Sequence, residues 1–252
     1  MKLRSLLAAL LTLSLASTAQ AADRWYEVEV LVFSHLNADV TAEKWPANDA
    51  VSIALEGSVP APNTITTPLA SGAPSAQELL RLAAVPPAQF KLQDAYKTLS
   101  RARQYRPLLH TAWRQPIGTG KNQFKVRLAG GKDYASRYGL HGKLLSTGDE
   151  PSEYGLWEVD GYVQLTATRF LHAETELIFR RPTITAASTA TTAGTDSNLS
   201  WQTGDAALVD EDWLQFFKLQ QGRRVKANEL HYFDHPMFGM LIVLRPLEPE
   251  RG

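Results

Sequence analysis

The chain has 252 residues, with 26 basic and 26 acidic side chains, a formal net charge of zero and no cysteine. Balanced charge excludes a polyanion binder that works by bulk attraction, such as a DNA-binding protein, although a local basic patch stays compatible with it. The missing thiols exclude thiol nucleophiles, thiolate metal sites, disulfides and a lipid anchor on an N-terminal cysteine.

The first residues, MKLRSLLAALLTLSLASTAQA, combine Lys2 and Arg4 with an uncharged apolar run from Leu6 to Ala16 and a small-x-small ending at Ala19-Gln20-Ala21. That is the pattern of a secretory leader, and the run is short of the roughly 20 residues that span a bilayer. The pattern predicts a signal peptide over 1–21, cleaved after Ala21, and a soluble exported chain without a membrane anchor. Loss of Lys2 and Arg4 leaves 24 basic against 26 acidic residues. A disulfide-free exported chain of this length must rely on its core, and the length is ample for one.

RWYEVEVLVF (24–33) alternates Tyr26, Val28, Val30 and Val32 with Trp25, Glu27, Glu29 and Leu31, and predicts a central strand. Five prolines between Pro46 and Pro74 predict a long loop. Ser75-Ala76-Gln77-Glu78 is a capping-box pattern ahead of LLRLAA and predicts a helix stopped by Pro86-Pro87. A second helix is expected over about 88–103, from the spacing of Leu92, Ala95, Tyr96, Leu99 and Ala102.

YRPLLHTAWRQP (105–116) and the segment around QFKVRL (122–128) read as strands, and 156–170 as a half-buried antiparallel strand. RFLHAETELIFRR continues it, with a turn expected at Ala173–Thr175. TITAASTATTAGTDSN (183–198) is low-complexity and predicts an exposed, disordered loop. DEDWLQFFKLQQ reads as a short helix or an irregular packed segment, and RRVKANELHYF with MFGMLIVLRP as two strands joined through Asp234-His235-Pro236. Together these predict one α+β domain over 22–252, a mainly antiparallel sheet with helices packed on it and long loops at about 36–75 and 183–207.

Motifs for catalysis are sparse. There is no G-x-S-x-G elbow, P-loop, G-x-G-x-x-G or H-E-x-x-H. His231, Asp234 and His235 have the types and spacing of metal ligands and would suit a metal-dependent hydrolase. Pro236 disfavours a shared helix face, and a hairpin turn is the simpler reading. Binding chemistry is better represented. Trp113-Arg114-Gln115, at a strand end, sets an apolar face beside a planar cation, which suits a sugar ring with a nearby carboxylate. The alternative puts Trp113 in the core and Arg114 in a surface ion pair. His110, Arg224 and His231 are secondary candidates for ligand binding, and no cofactor is indicated.

RWYEVEVLVF, LLHTAWRQP with RFLHAETEL, and RRVKANELHYFDHPMFGMLIVL together resemble the CsiV family of periplasmic peptidoglycan-binding proteins. The resemblance implies a non-enzymatic accessory of cell-wall synthesis and cell shape, in the envelope of a proteobacterium, that binds peptidoglycan. It also implies, as a partner, an outer-membrane lipoprotein activator of a bifunctional penicillin-binding protein. A protein-interaction module that never touches the wall is the remaining alternative.

Overall fold

The structure is a computed structural model that describes residues 24–39, 43–62, 64, 82–118, 125–186 and 210–248. The leader, the predicted helix as far as residue 81, and the low-complexity stretch from 187 onward lie outside the described residues. In chain order the elements are β1 (Arg24–His35), β2 (Ser58–Pro60), β3 (Ala83–Ala84), α1 (Gln93–Arg101), β4 (Tyr105–Ile117) and β5 (Lys125–Asp133). They continue with β6 (Trp157–Ala167), β7 (Leu171–Ala186), β8 (Asp210–Val225), β9 (Leu230–His235) and β10 (Phe238–Pro246).

Two five-stranded sheets share one core, the first in the order β3-β4-β1-β10-β9 and the second β2-β5-β6-β7-β8. All pairings are antiparallel except β2 with β5. β1 is central, as its alternation predicts. Val28, Val30 and Val32 point inward, beside Trp113, Thr111 and Leu109 on β4 and Leu244, Ile242 and Met240 on β10. From the second sheet, Val159, Val163, Leu177, Phe179, Phe217 and Leu219 close onto them. Each such aliphatic side chain, fully buried, contributes roughly 1.5–3 kcal/mol.

The α+β expectation is therefore corrected to a mostly-β, two-sheet architecture in which α1 is the one α-helix among the described residues. Two segments account for the difference, and a third moves a turn. Ala83–Ala84, at the end of the predicted LLRLAA helix, pair with Arg114 and Trp113 as β3. Ala173–Thr175 form no turn but sit within β7, paired on both sides, and the turn falls at Thr168–Phe170. DEDWLQFFKLQQ is strand β8. Phe217 and Leu219 face the shared core while Leu214 and Phe216 face a second cluster with Tyr138, Val51 and Leu156. With both faces covered, the strand carries apolar residues at both parities, and period-2 alternation is hidden.

The C-terminal hairpin does form at Pro236–Met237, with His235 opposite Phe238. The Lys218, Arg127 and Arg180 cations on the outer face of the second sheet are matched locally. Arg127 donates two 2.9 Å hydrogen bonds to Asp160, Lys218 pairs with Glu176 at 2.6 Å, and Arg180 donates to the Trp157 carbonyl at 2.6 Å.

Candidate functional site

Strand alternation divides the Trp113–Arg114 pair. Trp113 faces inward, is fully buried and donates its indole N–H to Gln115 Oε1 at 2.6 Å. Its ring is enclosed by the core and presents no face for stacking a ligand. His110 and Arg114 face outward, where β1 places Glu29 and Glu27. Glu29 is 1 % exposed and its carboxylate accepts from His110 Nε2 (2.9 Å), the Lys91 and Leu92 N–H groups (2.9 and 2.7 Å) and Arg245 (3.1 Å). Burial alone would raise the Glu29 pKa, but hydrogen bonds from His110, Leu92, Lys91 and Arg245 hold it below the usual carboxylate value. Arg114 reaches Glu27 at 3.3 Å, and Arg245 reaches it at 3.5 Å.

α1 and the turn before it cover this hub, with Tyr96 stacked on His110 at 5.4 Å and Phe90 tilted against it at 4.7 Å. The remaining groove, about 350 Å3, is bordered by Phe90, Gln93, Tyr96, Pro107 and His110. His110 thus anchors the helix segment to the sheet, and Arg114 is half-exposed on the flank of an ion pair.

The other candidates lie elsewhere. Arg224, at the end of β8, sets its guanidinium 3.3 Å over the exposed Phe170 ring at the β6–β7 turn. His231 Nε2 accepts the Lys226 N–H at 2.9 Å and so braces the β8–β9 turn. The five residues are spread over the outer face of the first sheet, its core, its edge strand and the second sheet. They form no single site. The possible metal ligands are also separated. In β9, His231 and His235 lie opposite Ile242 and Phe238, on the core side, whereas Asp234 lies opposite Gly239 on the other face and accepts from Tyr232 at 2.6 Å. Four residues of strand hold the two histidines roughly 13 Å apart. Among the described residues no three His, Cys, Asp or Glu side chains converge on a metal position.

A different cleft, about 590 Å3, opens at the edge of the second sheet between Asn48, Asp49, His141, Lys143, Trp213 and Gln215. Three segments far apart in sequence build it. An antiparallel bridge pairs Lys143 with Trp213, and the Leu214 N–H donates to the Gly142 carbonyl at 2.8 Å. Asn48, 5 % exposed, clamps the floor. Its Nδ2 donates to the His141 and Leu214 carbonyls, both at 2.8 Å, and its Oδ1 accepts the Phe216 N–H at 3.0 Å. Trp213 is visible in sequence only as one of six tryptophans. No local pattern links it to Lys143.

A family model described as "Peptidoglycan-binding protein, CsiV" matches residues 3–247. No curated protein matches the chain, and no solved structure does.

Proposed function

The chain belongs to the CsiV family of peptidoglycan-binding proteins, and we propose on that premise that it is a non-enzymatic periplasmic accessory of cell-wall synthesis and cell shape. The observation that carries this reading is the family match, which runs along nearly the whole chain. The N-terminal pattern supports export with cleavage after Ala21, which delivers the mature chain to the compartment where the wall lies. The accessory role, and the partnership with an outer-membrane lipoprotein activator of a bifunctional penicillin-binding protein, rest on what the resemblance implies.

Wall binding needs an aromatic surface for sugar rings and cations or amides for stem-peptide carboxylates. Its test is co-sedimentation of residues 22–252 with purified sacculi across a salt series. Saturable pelleting is expected, weakening as salt screens the charged contacts. Protein left in the supernatant at the lowest salt would refute direct wall binding and move the search to protein partners.

A further inference from the structure

We propose that the cleft between Asn48, His141, Lys143, Trp213 and Gln215 is the wall-binding site, and that it takes an N-acetylated sugar bearing a peptide carboxylate. This assignment rests on the reading of the chain as a wall binder and adds to it the place and the chemistry. Residues opposite each other in an antiparallel bridge project to the same side, about 4.5–5.5 Å apart at Cβ. The Lys143–Trp213 bridge therefore starts the lysine and tryptophan side chains from neighbouring positions on one side. Trp213 is half-buried and Lys143 exposed, so both reach the cleft.

Asp49 and Lys143 carry the carboxylate and the ammonium among the residues that line the cleft. Arg137 pairs with Asp212, and His141 Nδ1 lies 3.1 Å from Asp49 at the rim. Among the residues whose side chains the structure describes, none places a carboxylate within ion-pair distance of Lys143. A carboxylate brought by a ligand would complete it. The indole offers an apolar plane to the C–H face of a pyranose; Gln215 Nε2 already donates to Asn48 Oδ1 and the Phe216 carbonyl, both at 3.4 Å, which leaves Oε1 as an acceptor for the N–H of an acetamido group. The cleft lies within the roughly 300–1,000 Å3 range of small-molecule sites.

The cleft is also held in shape before any ligand arrives. Gly142 has φ +86°, and a Cβ there would run into the Leu214 carbonyl and lie 2.5 Å from Asn48 Nδ2. Asn48 fixes the 141–143 segment to β8 through the three hydrogen bonds given above. Fixed geometry lowers the ordering cost of binding.

The test uses the mature chain with 15N-labelled tryptophan, titrated with a muramidase-released disaccharide–peptide muropeptide. Trp213→Phe identifies the Trp213 indole signal, and Lys143→Gln and Lys97→Gln are titrated beside the parent. The proposal expects the Trp213 signal to move to saturation. It expects Lys143→Gln to bind about tenfold more weakly, and Lys97→Gln, on exposed α1, to bind like the parent. Saturable binding with the Trp213 signal unmoved and Lys143→Gln unaffected would overturn the site while leaving wall binding intact. A parent that binds neither the muropeptide nor sacculi would overturn the wall reading, and the site with it.

Discussion

His235 makes stability depend on pH above the range in which Glu29 and Glu176 do. Its Nδ1 accepts the Met237 N–H at 3.1 Å, and its ring packs against Phe238 and Trp45 at centroid distances of 5.0 and 5.4 Å. Burial pushes its pKa from 6.5 down to about 4, with Asp234 opposing the shift and His35 adding to it. Below pH 6.5 the unfolded chain therefore takes up a proton that the folded chain refuses. The stabilisation is fully present above that value and is lost as pH falls toward 4. The full gap corresponds to about 3 kcal/mol, of which about 2 kcal/mol falls between pH 7 and pH 5. Glu29 and Glu176, whose pKa values are lowered from 4.5, lose their contributions only below that window.

The variant His235→Asn keeps an acceptor for the Met237 N–H and removes the titration. Urea unfolding of parent and variant at pH 7, 6 and 5, with unchanged m values, measures the difference. The parent is expected to lose about 2 kcal/mol more than the variant over that range. Equal losses in the two proteins would refute the assignment of a buried neutral imidazole.

Other outcomes follow from the same geometry. Glu29→Gln should lower unfolding free energy by about 3 kcal/mol, because it removes the charge and confronts two backbone N–H groups with an amide. The carboxylate contribution is present above pH 4.5 and is lost as pH falls further, so the gap between parent and Glu29→Gln should narrow in acid. Gly142→Ala should cost about 2–4 kcal/mol in the same urea assay, from the positive φ and the collision with the Leu214 carbonyl. Arg114→Ala should cost less than about 1 kcal/mol, since its ion pair with Glu27 is partly solvated. It should also leave sacculus pelleting at the level of the parent.

How far the sequence carries the structure differs from element to element. β1, β4 and β6 were legible because one parity of each is apolar and pairs inward, as Val28 does with Trp113 and Leu244. The C-terminal hairpin was legible from Pro236 between two β-rich runs. β8 was not, because Leu214, Phe216, Phe217 and Leu219 pack in two different clusters and mimic helical spacing. The Trp113–Arg114 motif does not form one surface, for a related reason. Adjacent strand residues point to opposite faces, so a tryptophan and an arginine side by side in sequence cannot both line one cleft. Tryptophan and cation do meet at Trp213 and Lys143, but 70 residues of chain separate them and only the tertiary bridge brings them together.

Everything proposed for the Trp213 cleft depends on direct contact between this chain and the wall. The most immediate test of that contact is the saturable pelleting of residues 22–252 with intact, purified sacculi at low salt, measured for the parent beside Lys143→Gln. The parent should pellet to saturation, and the variant should need about tenfold more wall to reach the same bound fraction. A parent that stays in the supernatant would contradict direct contact.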